Sequence, residues 1–398
     1  MCPANCLSNK HQIGDFSVMN IKFQQVMQIS AAVMLLSMAA PSASAEEIVR
    51  IGHVAPLTGG LAHLGKDNEN GARLAIEEIN AAGLSIGDQK ITLKLDAQDD
   101  AGDPRQATQA AQRLVDDKVV AVIGHLNSGT SIPASKMYSD GGIVQISPSA
   151  TNPAYTLQGF KTTYRIVATD AQQGPALASY AKSMGIKSVA VVDDSTAYGQ
   201  GLANEFEKKA KALGVKVVSH DATNDKAVDF RAILTKVKGE NPDGIMYGGE
   251  DATGGPFAKQ AKQLGLRAKI FGGDGVCTEK LSLLAGDAAD NVICSAPGVA
   301  LEKMPGGVAF EVKYEKRFGQ PIQIYAPFTY DAVYIIVDAM KRANSIDPAK
   351  VLSAMPSTDY KGVIGETKFD SKGDLKHGVI SLYDFKSGKK VLLDAVEM

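Results

Sequence analysis

From residue 48 onward the chain alternates between short apolar runs and longer stretches whose apolar residues recur every three or four positions. The short runs predict strands over 48–54, 91–96, 119–123, 143–146, 188–192, 215–219, 244–247 and 268–271. The longer stretches predict helices over 66–82, 103–116, 131–139, 171–184, 199–213, 227–238 and 256–264. Ala72, Ala75, Ile76 and Ile79 show the helical spacing well. Asp103-Pro104 reads as an N-cap followed by proline at the first helical position. After about Pro297 the alternation gives way to helices over 307–318, 329–343 and 348–354. A tail with hairpin character follows, its strands over 377–385 and 391–395 flanking the turn Lys386-Ser387-Gly388. Strands that alternate with helices of ten or more residues imply parallel sheets covered on both faces, and two such series imply two doubly wound α/β lobes.

Two strand ends carry the candidate chemistry. The run ending at Ile123 opens into Gly124-His125-Leu126-Asn127-Ser128-Gly129-Thr130-Ser131-Ile132-Pro133, and the run ending at Ile146 opens into Ser147-Pro148-Ser149-Ala150-Thr151-Asn152-Pro153. Pro133 is expected in the first turn of the helix that follows. Small hydroxyl residues beside the free N–H groups of a helix start make an anion cradle that suits a carboxylate; the same residues also make ordinary Ser-capped turns. In open α/β sheets ligands bind beyond the carboxyl ends of strands. Asp193-Asp194 and Asp274 also follow predicted strands, although Asp193-Asp194 is equally good Asx-turn sequence and Gly273-Asp274-Gly275 good turn sequence.

The N-terminal 45 residues have a different pattern. Met19-Asn20-Ile21-Lys22 resembles a start with a short basic region, and an apolar stretch from 29 to 40 follows, too short to span a bilayer. Ala43-Ser44-Ala45 fits the cleavage rule of an export signal, so Glu46 is the expected mature N-terminus and residues 1–18 an upstream segment. No cysteine lies at the cleavage point, which argues against a lipid anchor; the expected location is a periplasm. The 350 or so remaining residues exceed one ordinary hydrophobic core, again favouring two lobes. With 42 basic and 44 acidic residues the chain shows no basic balance suited to nucleic acid or an anionic membrane. Cys277 and Cys294 are the two cysteines of the expected mature chain, and in an oxidising compartment they form either a disulfide, the expected state, or two buried thiols. The six histidines are scattered without metal-ligand spacing, so no metal or cofactor is expected. His53, His63 and His125 read as structural residues, and Glu250-Asp251 as a solvated loop.

Several collinear segments resemble a known family: Asp99-Asp100-Ala101-Gly102-Asp103-Pro104, the 124–135 and 146–153 stretches, Gln173-Gly174-Pro175, Tyr198-Gly199-Gln200-Gly201, Met246-Tyr247-Gly248-Gly249, Gly273-Asp274-Gly275 and Asp370-Ser371-Lys372-Gly373-Asp374-Leu375. Together they resemble the leucine/isoleucine/valine-binding proteins of branched-chain amino-acid ABC transporters, the type I periplasmic binding proteins, over essentially all of 46–398. The resemblance implies a monomer of two lobes joined by three crossings, near Thr169, Pro297 and Gly378. Lobe 1 is then 46–169 with 297–377, and lobe 2 is 170–296 with 378–398. It implies that Ser128 and Thr151 hold a ligand carboxylate. The Ser149 carbonyl and Asp274 receive its ammonium, and Tyr198 closes over it. Leu126, Leu64 and Tyr325 line the side-chain pocket. Three departures stand out. Asp274 replaces a longer Glu, Leu64 replaces a Tyr, and Glu250 stands where the family has a ligand-site Tyr, an added acid that would either favour a larger or more polar amino acid or face solvent. The family's own disulfide positions correspond to Gly102 and Asn127.

The expected function is therefore capture of a free amino acid (leucine, isoleucine or valine) and its delivery to a membrane permease. A hydrolase or dehydrogenase fits poorly. There is no GxGxxG after a strand, Ser128 is offset by two from a GxSxG pattern, and no histidine stands where it would activate it. A periplasmic sensor for an amide or small carboxylic acid shares the fold and remains the alternative. A neutral amide, however, has no need of the buried acid that an ammonium requires.

Overall fold

The computed structural model describes residues 46–398, and the expected export signal lies outside them. Two sheets organise the chain. The first contains β1 (Glu47–Ala55), β2 (Leu84–Ile86), β3 (Gln89–Asp99), β4 (Ala121–Gly124), β5 (Val144–Ser147) and β6 (Thr163–Arg165), in the order β2-β3-β1-β4-β5-β6. Its helices are α1 (Ala62–Ala82), α2 (Pro104–Asp116), α3 (Ser128–Gly141) and the single turn α4 (Ala154–Leu157). The second sheet is entered through α5 (Asp170–Ser183). It holds β7 (Ser188–Asp193), β8 (Lys216–Ala222), β9 (Gly244–Gly248), β10 (Lys269–Gly272) and β11 (Val292–Ala296), with α6 (Ala197–Ala212), α7 (Arg231–Glu240), α8 (Asp251–Gln263) and α9 (Glu279–Ala285) between them. The chain then returns to the first sheet as α10 (Gly307–Phe318), α11 (Ala326–Ala343), α12 (Pro348–Ala354) and the small hairpin β12 (Tyr360–Gly362) and β13 (Gly365–Thr367). It ends as β14 (Val379–Lys386) and β15 (Lys389–Glu397) on the edge of the second sheet, whose order is β15-β14-β11-β10-β9-β7-β8. The chain thus passes between the sheets three times, and the fold is the two-lobed α/β architecture that the pattern predicts.

All pairings within the first sheet are parallel except β2 with β3; in the second, β14 and β15 are the antiparallel additions. Strands buried on both faces feed two cores by strict alternation. Ile51, Ala121 and Ile123 enter the core beneath α1 and α11, while Val54 and Val122 face α2 and α3. In the second sheet Ala190, Val192, Ile245 and Tyr247 face one side, and Val189, Val191 and Met246 the other.

Local chemistry sets the helix starts. Asp103 accepts from the N–H groups of Arg105 and Gln106, with Pro104 at the first position, as expected. Thr196 accepts from Gly199 and so starts α6. The expectation that the helix starts at 131 with Pro133 in its first turn is wrong: α3 starts at Ser128, with Thr130 and Ser131 already bonding back to the Asn127 carbonyl. The predicted start of α8 near Pro256 is late for the same reason. An interior proline removes one i to i−4 bond; packing on the sheet compensates, and α5 carries Pro175 in the same way. The turn Ser387-Gly388 has both residues at positive φ (52° and 79°), the geometry that a two-residue hairpin between twisted strands requires. Strands β2, β6, β12 and β13, of three residues each, carry no sequence signal of their own.

Candidate functional site

The two sheets present the carboxyl ends of their parallel strands to each other, at the points where the strand order reverses around β1 and β7. Ser128 follows β4, and Ser149 and Thr151 follow β5. Across the gap Tyr198 follows β7, Glu250 follows β9 and Asp274 follows β10.

The cradle on the first sheet is braced from behind. Arg165, fully buried, donates to the carbonyls of Ala150 and Asn152 at 2.9 and 2.8 Å and to the Asp374 carboxylate at 2.7 Å. This fixes the backbone on either side of Thr151. The Ser128 hydroxyl accepts from the Asn152 N–H at 3.2 Å, which ties the two strand ends together. Because α3 starts at Ser128, the N–H groups of Ser128 and Gly129 belong to its first turn and lack intrahelical acceptors. The Ser149 hydroxyl donates to the Leu126 carbonyl at 3.0 Å and accepts from Asn68 at 3.3 Å.

The opposing face is acidic. Asp274 is buried and begins a single 3-10 turn over Asp274–Val276. Its Oδ1 accepts from Gln173 Nε2 and the Tyr198 hydroxyl, both at 2.9 Å, and its Oδ2 accepts from the Tyr325 hydroxyl at 2.6 Å. Burial raises its pKa, and these three donors offset part of the rise. Tyr198 is 5% exposed, which excludes a surface aromatic, and its oxygen also accepts from the Gly275 N–H. Gly275 permits the close approach: a Cβ there would meet Glu250 Oε2 at 2.5 Å and the Gly249 carbonyl at 2.8 Å. The disulfide Cys277–Cys294 forms, with its Cα atoms 5.3 Å apart, and anchors the turn bearing Asp274 to β11.

The three residues expected to line a side-chain pocket also come together. Leu64, Leu126 and Tyr325 form one buried cluster with Ala55, edged by Leu57, Leu61 and Ile324. Glu250-Asp251 is not the solvated loop expected of it. Asp251 is fully buried, and Glu250 is half-buried at the N-cap of α8, its Oε1 accepting from Asn127 at 3.2 Å. Burial, followed by the charges of Asp274, Asp194 and Asp251, raises the Glu250 pKa well above the usual range. Asp193 and Asp194 do make Asx turns, accepting from the N–H groups of Ser195 and Thr196.

Three further residues at this gap escape sequence reasoning. Asp170, fully buried at the start of α5, has both carboxylate oxygens without a hydrogen-bond partner among the described residues, and so does the Thr151 hydroxyl. Burial and then the Asp274 charge raise the Asp170 pKa; the nearby Thr151 hydroxyl opposes the rise without reaching hydrogen-bond geometry. Gln173 links Asp274 to Ser295. Asp67 accepts from four consecutive backbone N–H groups, those of Gln323, Ile324, Tyr325 and Ala326, and so holds Tyr325 in place. Gln173 and Asp67 lie far in sequence from what they support. Asp170 signals itself only as an acid at a helix start, which reads as a cap, and Gln173 only as part of the Gln173-Gly174-Pro175 segment.

The two faces touch. Besides Tyr325 to Asp274 and Asn127 to Glu250, Asn152 donates to the Ala197 carbonyl at 2.5 Å, and Lys280 to the Gly60 carbonyl at 2.9 Å. His63, expected to be merely structural, pairs with Asp251 across the gap at 2.7 Å. His125 does sit in the interior, between Asp100 and Tyr138, and His53 bonds the Ile123 carbonyl.

A family profile described as periplasmic binding protein matches residues 48–389. The chain belongs to the periplasmic binding protein family. Within it the chain is 34% identical over 363 residues to the leucine-, isoleucine-, valine-, threonine- and alanine-binding protein of Pseudomonas aeruginosa, covering 91% of this chain and 96% of that one. Among solved structures, the leucine-binding protein LivK of Thermotoga maritima superposes with a TM-score of 0.81 at 27% identity, covering 87% and 98%. The branched-chain amino-acid transporter substrate-binding protein LivJ of Streptococcus pneumoniae, in complex with isoleucine, gives 0.80 at 26% identity, covering 88% and 100%. This periplasmic binding protein has no helix among its described residues long and apolar enough to cross a membrane.

Proposed function

We propose that this chain captures a free α-amino acid of the leucine, isoleucine and valine series in the periplasm and hands it to the permease of an ABC importer, without catalysing a reaction. The observation that carries this reading is the set of buried polar atoms without a hydrogen-bond partner among the described residues, Thr151 Oγ1 and both Asp170 oxygens, in the region of Asp274. Leaving such groups unbonded costs about 1–3 kcal/mol each. An α-amino acid would satisfy both sides of the gap. Its carboxylate takes the Ser128 hydroxyl and N–H, the Thr151 N–H and the start of α3. Its ammonium takes Asp274, Asp170, the Thr151 hydroxyl and the Ser149 carbonyl. Its aliphatic side chain rests on Leu64, Leu126 and Tyr325, and Tyr198 covers it. The names of the relatives agree with this choice of ligand.

Ligand bridging of the lobes would shift an open–closed equilibrium toward the closed form, with bending confined to the three crossings near Thr169, Pro297 and Gly378. Affinity of about 1 µM or tighter, about −8 kcal/mol, is expected. The test is calorimetric titration of the protein, unfolded and refolded to strip carried-over ligand, with leucine, isoleucine, valine, the remaining amino acids and a set of amides and small carboxylic acids. Tight binding of an aliphatic amino acid supports the reading. Heat from an amide or acid alone would replace it with the sensor alternative.

A further inference from the structure

The gap between the lobes continues past the proposed amino-acid end into a cavity of about 600 Å³, more room than a leucine side chain fills. Its walls are both apolar and acidic. Leu61, which edges the Leu64–Leu126–Tyr325 cluster, lines it near the proposed side-chain wall. It is also lined by Asn127, Tyr198, Glu250 and Asp194. The charged side chains lining it are Asp194, Asp225 and Glu250 against Lys226, an excess of negative charge. Asp194 is 1% exposed; its Oδ1 is engaged by Thr196, but its Oδ2 is buried without a partner among the described residues. Gly199 and Gly249 let the backbone pack closely against it, since a Cβ at Gly199 would stand 2.2 Å from Asp194 Oδ1 and one at Gly249 3.0 Å from Oδ2.

We infer that this acidic annex is a subsite for a cationic side-chain head, and that the ligand range includes long basic amino acids such as lysine and arginine. This rests on the amino-acid reading given above. A long basic side chain suits such a cavity because its methylene stem lies on apolar surface while its head seeks carboxylates. A buried carboxylate without a partner is costly, and an ammonium or guanidinium with hydrogen bonds to it removes that cost. Glu250 and Asp194, one offering Oε1 beside Asn127 and the other a free Oδ2, supply acceptors from two different strand ends, β9 and β7.

The test compares lysine with norleucine, which is lysine without its amino head, and adds arginine and leucine. All are titrated into the full-length, ligand-stripped protein. Lysine or arginine should bind at least about tenfold more tightly than norleucine. Glu250→Gln and Asp194→Asn should each shrink that ratio severalfold, and near-wild-type circular dichroism would show that the variants fold. Norleucine binding as tightly as lysine and arginine, or a ratio unchanged in both variants, would overturn the annex. If leucine or norleucine binds while lysine and arginine do not, the amino-acid reading stands and the annex falls. If no amino acid binds, both fall together.

Discussion

The two faces of the cleft solve opposite electrostatic problems. The face on the first sheet carries no charged side chain in its cradle: Ser128, Ser149 and Thr151 offer hydroxyls and backbone N–H groups, stiffened by Arg165 from behind. The face on the second sheet, together with α5, crowds Asp170, Asp194, Glu250 and Asp274 into one region, and burial raises the pKa of each. A neutral set of donors can be assembled in advance at little cost. A cluster of buried carboxylates cannot, because like charges in a low-dielectric setting repel until a cation or protons arrive. The donor face is therefore expected to be complete before ligand arrives, and the acidic face to become stable only with ligand.

The comparison can be broken most forcefully from the donor side. Ser128→Ala with Thr151→Ala would remove one hydroxyl bond to the proposed ligand's carboxylate and one to its ammonium, each worth about 1.5–3 kcal/mol. Calorimetry should show near-complete loss of amino-acid binding, with little change in ligand-free melting temperature. A large drop in melting temperature would make these residues caps and not a cradle. From the acidic side, Asp274→Ala should cost about 3–5 kcal/mol of affinity by leaving an ammonium poorly compensated. Its ligand-free stability should also fall, since Gln173, Tyr198 and Tyr325 lose their acceptor; unchanged affinity would take Asp274 out of the site. The support of that face can be cut separately. Cys277→Ser with Cys294→Ser opens a bridge of sequence separation 17, worth about 3 kcal/mol in denaturant titrations. Amino-acid affinity should fall as well, because the turn bearing Asp274 loses its anchor.

The smallest expected effect concerns pH and reports the acidic face alone. Asp194 is pushed up to about 6, chiefly by burial and further by Asp225 and Asp193. A carboxyl raised above its unfolded value of about 3.9 stabilises the fold while protonated, and that stability is lost as pH rises through the folded value. Ligand-free protein should therefore melt at a higher temperature at pH 5 than at pH 7.5, and the difference should narrow in Asp194→Asn. The reverse order would mean that these carboxylates are already compensated.

What could be read from the sequence follows the same division. The donor face is built from neighbours in sequence, so Ser128 and Thr151 announce themselves as small hydroxyl residues after apolar strands. The alternation of strands and helices was equally legible, down to the bounds of α2 and α10. The acidic face depends on contacts across more than a hundred residues, such as Gln173 to Ser295. Asp170 looks like a first-turn acid and Glu250 like a loop residue until burial is known. The helix starts near Pro133 and Pro256 misled because proline is a good first-position residue in isolation, whereas here packing on the sheet tolerates it a turn and a half inside.

Asp67 carries a consequence of its own. By taking the N–H groups of residues 323–326 it occupies the start of α11, so the start of α3 is left to receive a carboxylate. In the proposed function, an amino acid lying between α3 and Asp274 would have a fixed head and tail, and the Leu64–Leu126–Tyr325 cluster would fix the direction of its third substituent. Three unlike anchors around one carbon atom define a hand: the mirror image of a bound amino acid would have to aim its side chain away from that cluster.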